Sequence, residues 1–190
     1  MLRFYWIPIL LGISLMGYAG WHLYQASEVK AELIKQEQPS QSDRKNEPIK
    51  LYHQLPAIDT HIGNLEIPRI KATLPIIQGA NEDELEKGVG HVYNTALPGE
   101  SDTVVLAGHR DTVFKRLGEV KIGDLLIVKT SVGTFIYKVT GAKIVSKDDQ
   151  SIHSTYPDPH LVVSTCYPFG YIGPAPQRYL LMADLVERDR

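Results

Sequence analysis

From residue 63 onward the chain is a succession of short apolar or alternating runs, separated by turn-forming residues. Runs of this length, rich in β-branched residues or with period-two alternation, are typical of β-strands. The runs are NLEIPRI, LPIIQG, HVYN, DTVVLAGH, LLIVKT, GTFIYKVTGAKIVS, LVVSTC and QRYLLMADLV. They predict a mainly β domain over residues 63–190, with about eight strands at the spacing of a closed barrel and little helix.

Local signals refine this arrangement. The segment LLIVKTSVGTFIYKV predicts a hairpin that turns at Ser131-Val132-Gly133. NEDELEKG is the one clear short helix, and Asn81 is suited to cap it. Alternation in the last strand predicts that Tyr179, Leu181 and Ala183 share a buried face.

The N-terminus carries no charged residue from Phe4 through Gln25. As a helix, this run would span roughly 30 Å, the thickness of the hydrocarbon core of a bilayer. It therefore predicts one transmembrane helix with the bulk of the chain outside the cell. A cleaved signal peptide is the alternative, because Gly17-Tyr18-Ala19 has the small-x-small form of a cleavage site. The apolar run continues past that site to Tyr24, which favours an uncleaved anchor.

These signals divide the chain into three parts. Residues 1–25 are predicted to be a cytoplasmic tip and transmembrane signal-anchor. Residues 26–62 have the composition of a polar linker, with prolines, serines and alternating charge. Residues 63–190 form the predicted barrel domain.

Charge excludes one class of partner. The chain has 20 Lys and Arg residues and 22 Asp and Glu residues, and its formal net charge is −2. A chain without a dense basic block has no electrostatic footprint for nucleic acid. Asp148, Asp149 and the acidic residues at 82–86 are expected to be solvated rather than calcium ligands, so neither a metal site nor a cofactor is predicted.

Cys166 is the only cysteine of the chain, and it ends the apolar run LVVSTC. Buried cysteines are commonly packing residues. Outside a membrane, however, structural cysteines usually form disulfides in pairs, which a single cysteine cannot do within the chain. Cys166 is therefore a candidate nucleophile.

His109 is the candidate base. It ends the strand TVVLAGH after Gly108, so it is expected at the rim of the barrel, where the thiol also lies. His91 is the only rival among the seven histidines, because His153 and His160 fall in a polar segment and are predicted to be loop residues.

Arg178 is the candidate donor to a substrate oxygen. An Arg at the start of a strand is ordinarily a surface charge. The loop YPFGYIGPAPQ, with three prolines and two glycines, could nevertheless bring Arg178 back beside the thiol. A guanidinium there would offer fixed, always-charged donors to a carbonyl or oxyanion.

The segments LAGHRDT, STCYPFG and QRYLL follow one another behind the N-terminal apolar run. This combination resembles the sortases, the cysteine transpeptidases that join surface proteins to the cell wall of Gram-positive bacteria or polymerise pilins. The resemblance extends over residues 63–187 and includes TALPGE. The family's TLxTC segment has Val162-Val163 here in place of its leading Thr-Leu pair. The STCYPF form is most similar to class D sortases.

The resemblance implies an eight-stranded sortase barrel and an activity. Cys166 would attack the Thr–Gly or Thr–Ala bond of an LPxT-type sorting signal and form a thioacyl enzyme. His109 would protonate the leaving amine, and Arg178 would hold the substrate carbonyl. Thr165 and Ala107 match positions that line the groove for the sorting signal. The partners implied are surface proteins with such a signal and an acceptor amine on a peptidoglycan stem peptide or its precursor.

Two other functions are open to the same residues. One is a different Cys/His wall enzyme of the L,D-transpeptidase kind, although those enzymes typically show SHGC, with His two residues before the cysteine, and here Ser164-Thr165 precede Cys166. The other is a membrane-tethered scaffold without catalysis, which predicts an inert, buried Cys166.

Overall fold

The computed structural model of the protein describes residues 16, 18, 21, 50–149, 154–171, 173 and 175–189. Internal contacts divide the chain into two units, Met1–Glu47 and Pro48–Arg190, of which the second contains the elements below. The predicted membrane helix at residues 4–25 lies, apart from three residues, outside the described part. Of the helices in the described part, none has the length and apolar character needed to cross a membrane.

Among the described residues, eight strands close into a barrel in the order β1-β2-β3-β4-β7-β8-β6-β5. The pairs β2–β3 and β4–β7 are parallel, and the other neighbours are antiparallel. The strands are β1 His61–Ile67, β2 Ala72–Gln78, β3 Val89–His91, β4 Thr103–Gly108, β5 Leu125–Thr130, β6 Gly133–Ser146, β7 His160–Tyr167 and β8 Gln177–Asp189. The predicted eight-stranded barrel is confirmed.

The local predictions are also confirmed. β1 covers the first part of the run NLEIPRI and ends at Ile67, because Pro68 lacks the N–H that a strand ladder needs. The β5–β6 hairpin turns between Thr130 and Gly133. Helix α1, Glu82–Leu85, begins after the N-cap Asn81.

Strands β4, β7 and β8 are buried on both faces. Their inner face contributes Val104, Leu106, Leu161, Val163, Leu181 and Ala183 to the main core. Their outer face carries a second cluster of Val105, Val162 and Leu180. Alternate residues of one strand therefore enter two different environments, and this alternation decides which side chains can reach a substrate.

Two placements differ from the sequence prediction. β3 begins at Val89, two residues before the predicted HVYN, because residues 89–91 pair in parallel with β2. His160 is the first residue of β7 rather than a loop residue; its N–H donates to the Asp102 carbonyl, and its Nδ1 lies 2.7 Å from Asp184 Oδ1. His153 lies outside the described residues.

The segment before β1 contacts the barrel. The N–H groups of Leu51 and Tyr52 donate to Glu100 Oε1 at 2.8 and 3.3 Å. Leu51 also packs against the main core. The predicted boundary at residues 62/63 stays a prediction, while the barrel holds the chain from Leu51 onward.

Candidate active site

Cys166 and Arg178 are directly opposed on the antiparallel strands β7 and β8. Side chains of opposed residues lie on the same face of a sheet, about 5 Å apart at Cβ. Because Leu180 is on that face, Cys166 and Arg178 extend the outer cluster toward the rim of the barrel. The loop between β7 and β8 therefore returns the guanidinium to the side of the thiol.

Both groups remain available for a substrate. Cys166 is a free, half-buried cysteine. Arg178 Nη1 donates to the Gln177 carbonyl at 3.2 Å, and this is the only hydrogen bond of its side chain within the described residues. The rest of the guanidinium fork can donate to a carbonyl oxygen bound beside the sulfur.

His109 follows the last residue of β4, which runs parallel to β7. Gly108 pairs with Thr165, so His109 and Cys166 each lie one residue beyond the same rung. The His109 side chain is 31% exposed, and its Nε2 is 3.3 Å from Glu82 Oε1 on α1. Within the described residues, its ring forms no hydrogen bond with the thiol. We call Cys166, His109 and Arg178 the outer-face site.

Gly108 sets the position of this end of β4. A Cβ atom at Gly108 would lie 2.6 Å from Phe114 Cε2 and 2.7 Å from Val113 Cγ2. The chain that follows His109 therefore turns back against the backbone of β4 itself. Only glycine allows this approach without displacement of Phe114, which is a core residue.

Thr165 and Ala107 lie on opposite faces. Ala107 pairs with Ser164, which places both on the outer face with the thiol. Thr165 is only 2% exposed, and its Oγ1 donates to the Gly108 carbonyl at 2.7 Å. The hydroxyl thus ties β7 to β4 just below the site. The groove-lining role of both residues stays a prediction.

The segment after His109 holds the β7–β8 loop, a contact that sequence reasoning missed. Arg110 Nη2 donates to the Gly173 carbonyl at 2.8 Å, and its guanidinium carbon lies 5.5 Å from the centroid of the Tyr171 ring. At the base of the loop, Phe169 lies so close to Gly118 that a Cβ there would be 2.9 Å from the ring. Residues of the β4–β5 segment therefore contact the β7–β8 loop at Phe169, Tyr171 and Gly173.

His91, the rival base, lies in a closed polar cluster with Gln78, Thr95 and Ala96, which we call the His91 cluster. Its Nδ1 is 2.9 Å from Gln78 Oε1, and its Nε2 is 2.9 Å from the Ala96 carbonyl. The ring is 1% exposed. Burial lowers the pKa of His91, although the bond to the Ala96 carbonyl opposes this shift. The cluster holds a neutral ring away from the outer-face site.

The sequence predicts that the acidic residues at 82–86 are solvated, and this is not true of all of them. Glu84 is buried and accepts the Asn81 N–H at 2.8 Å, so the prediction is wrong for this residue. Glu82 is exposed and contacts His109. Within the described part of the chain, no three His, Cys, Asp or Glu side chains are grouped to hold a metal ion.

The comparisons with known proteins agree with this geometry. The family model described as "Sortase domain" matches residues 65–186. Sortase D of Bacillus subtilis (strain 168) is 39% identical over 188 residues, covering 92% of this chain and 95% of that protein. The solved structure of sortase C1 from Streptococcus agalactiae has a TM-score of 0.63 at 30% identity and covers 67% of this chain and 68% of that one. Sortase C from Clostridium perfringens SM101 has a TM-score of 0.63 at 28% identity and covers 72% of this chain and 78% of that one.

A barrel whose outer face carries an unpaired thiol beside an arginine, with a histidine at the next strand end, defines a cysteine transpeptidase. The chain belongs to the sortase family. Its likeness to Sortase D confirms the class D resemblance of the STCYPF segment. Membership of this family favours the sortase interpretation over both alternatives that the residues left open.

Proposed function

We propose that this sortase cleaves an LPxT-type sorting signal and transfers the attached surface protein to an amine of the cell wall. The observation that carries the proposal is the pairing of Cys166 with Arg178 across β7 and β8, with His109 at the end of the adjoining strand β4. Thiol, guanidinium and imidazole then supply a nucleophile, an oxyanion donor and a proton carrier.

In the first half-reaction, the Cys166 thiolate attacks the carbonyl carbon of the Thr–Gly or Thr–Ala bond. Arg178 donates hydrogen bonds to the carbonyl oxygen as negative charge develops on it. The C–N bond breaks, and the imidazolium of His109 gives its proton to the leaving amine. The product is a thioester between the threonine carbonyl and the sulfur of Cys166.

In the second half-reaction, an amine of a peptidoglycan stem peptide or precursor attacks the thioester carbonyl. His109 takes the proton from this amine, and the C–S bond breaks to restore the thiolate. An amide bond replaces the one that was cleaved, so no cofactor or oxidant is required. Ala107, on the same outer face as the thiol, is suited to line the groove that holds the signal.

We further propose that residues 1–25 anchor the protein in the membrane of a Gram-positive cell, with the chain from residue 26 up to Leu51, where contact with the barrel begins, as a tether and the barrel outside. The uncharged run from Phe4 to Gln25 supports this arrangement. Protease added to cells stripped of their wall should then remove the barrel domain. Full protection of that domain would contradict the orientation.

The activity is tested by incubation of the protein with a panel of LPxT-type peptides and mass spectrometry of the intact protein. A productive peptide should add the mass of its N-terminal acyl fragment, and hydroxylamine should remove this mass because thioesters are labile to it. Cys166→Ala should neither acquire the mass nor cleave the peptide. A panel that yields cleavage without a Cys166 adduct would contradict the covalent mechanism.

A further inference from the structure

We propose that Glu82 is a positioning residue for His109, a role that rests on the proposed function of His109 in proton transfer. The motivating observation is the 3.3 Å contact between Glu82 Oε1 and His109 Nε2. Glu82 belongs to α1, between β2 and β3, and is 27 residues from His109 in the sequence. The carboxylate therefore comes from outside the strands that carry the thiol, the imidazole and the guanidinium.

The short helix that carries Glu82 is rigidly held. Asn81 and Glu84 form a reciprocal capping box at its start. The side chain of Glu84 is buried against Gly79, where a Cβ atom would lie 2.9 Å from the Glu84 carboxyl carbon. After the helix, the Lys87 ammonium forms an ion pair with Asp59. Glu82 thus extends from a backbone that its neighbours hold in place, and its carboxylate contacts the imidazole.

The contact is specific to one ring nitrogen. The carboxylate oxygen lies at ion-pair distance from Nε2, and within the described residues neither nitrogen of the ring forms an aligned hydrogen bond. A carboxylate at Nε2 favours the tautomer with its hydrogen on that nitrogen, since a carboxylate only accepts hydrogen bonds. The lone pair is then on Nδ1. Glu82 therefore assigns Nδ1 to proton exchange with the thiol, the leaving amine and the acceptor amine.

The pair contributes to catalysis rather than to folding. Glu82 is 74% exposed, and exposed ion pairs add little to stability. Orientation of a general acid–base group matters far more, because such a group supplies about 100- to 10,000-fold in rate only when its reactive nitrogen is correctly placed. Loss of Glu82 should consequently lower kcat while leaving the thermal midpoint of unfolding unchanged.

The test compares Glu82→Gln with Glu86→Gln in the full barrel domain. Both substitutions remove one exposed carboxylate from the same segment, and only Glu82 contacts His109. We expect Glu82→Gln to lower kcat for an LPxT-type peptide roughly 10-fold, a part of the acid–base contribution, with little change in KM. Glu86→Gln should match the wild type in both constants.

A second readout is independent of turnover. The 15N chemical shifts of the His109 ring, assigned by the loss of its signals in His109→Gln, report which nitrogen carries the hydrogen. In the neutral ring, which Cys166→Ala favours because it removes the thiolate, the wild-type glutamate and Glu86→Gln should show hydrogen on Nε2, and Glu82→Gln should show a mixture of both tautomers. Equal kcat and equal ring shifts in the two glutamate variants would overturn the proposal.

The outcomes separate this proposal from the proposed function. If His109→Ala retains turnover, the acid–base role of His109 fails, and the positioning role of Glu82 fails with it. If His109→Ala is inactive while Glu82→Gln behaves like Glu86→Gln, only the Glu82 proposal fails.

Discussion

His91 and His109 both follow a glycine on neighbouring strands, yet their surroundings are opposite. His91 pairs with Leu106 and is enclosed in the His91 cluster, where both ring nitrogens have partners. His109 lies three residues further along β4 than Leu106, beyond the end of the strand and partly open to solvent. The same dipeptide therefore produces a buried histidine in one place and a solvent-accessible one in the other.

The difference follows from what each ring meets. The buried amide of Gln78 has no partner for its Nε2, and a half-turn of this amide lets Nε2 donate to His91 Nδ1. The neutral His91 ring then donates from its own Nε2 to the Ala96 carbonyl. A ring whose two nitrogens are both engaged cannot exchange protons with a substrate. In the outer-face site, in contrast, the His109 ring, the Cys166 sulfur and most of the Arg178 guanidinium are available to a substrate.

Mutation of the two histidines gives the strongest test of the difference between them. We expect His109→Ala to lower turnover of a sorting-signal peptide by about 100- to 10,000-fold without loss of fold, because the leaving amine loses its proton donor. His91→Ala should retain turnover while folded but lose about 1–3 kcal/mol of unfolding free energy, since it leaves buried polar groups unpaired. Peptide cleavage and urea denaturation of both variants measure this. A folded, inactive His91→Ala beside an active His109→Ala would reverse the assignment.

Arg178→Lys tests whether the outer-face site needs a guanidinium or only a charge. A lysine is a point charge on a flexible stem and lacks the fixed fork of donors. Loss of one oxyanion donor typically lowers kcat about 100- to 1000-fold. Arg188→Lys is the matched control, because Arg188 lies on the same strand but pairs with β6 far from the thiol. Near wild-type turnover by Arg178→Lys would mean that Arg178 is an ordinary surface residue.

Gly108→Ala tests the end of β4, where the strand meets the core residue Phe114 just before His109 of the outer-face site. The added Cβ would meet Phe114 and Val113 within 2.7 Å, and such overpacking costs about 1–3 kcal/mol. Gly141→Ala serves as the control, since its Cβ would meet only the flexible end of Met182 at 3.1 Å. Urea denaturation should show a clear loss for the first variant and a smaller change for the second. Equal stability would show that β4 can shift at this point.

The smallest effect concerns pH. Burial lowers the pKa of His91 below its ordinary value of 6.5, so the unfolded chain binds a proton more readily than the folded one. The stabilisation is present above about pH 6.5 and is lost as the pH falls toward the lower folded pKa. Denaturation at pH 7.5 and 5.0 should show this loss. His91→Gln should flatten the dependence, and His53→Gln, an exposed control, should not.

Apolar and alternating runs were enough to predict the barrel, because every strand contributes residues to the inner core, although β4, β7 and β8 are covered on their outer face as well. They predicted the turn after Thr130 and the inward faces of Leu181 and Ala183. The same alternation indicates the orientation of Thr165, because Thr165 is in phase with Leu161 and Val163 on the inner face. That signal is present in the sequence, whereas the resemblance of the segment around Cys166 implies a place in the groove.

Contacts between distant segments could not be predicted in this way. Nothing in the sequence spacing of Glu82 and His109 indicates that α1 lies beside the end of β4. The hydrogen bond from Arg110 to the Gly173 carbonyl likewise depends on the path of two loops. The polar segment around His160 predicts a loop, whereas tertiary pairing with β4 and β8 extends β7 to include this residue.

The hydrogen bond from Thr165 to Gly108 joins residues that are 57 apart in the sequence. Bringing such distant residues together costs loop-closure entropy before any contact is gained, so pairings of this kind tend to form slowly. Until β4 and β7 meet, His109 and Cys166 have no fixed mutual position, and the thiol of a newly made chain is unassisted. The first turnover of a nascent molecule therefore cannot precede the pairing of β4 with β7, and enzyme activity can report when that pairing has formed.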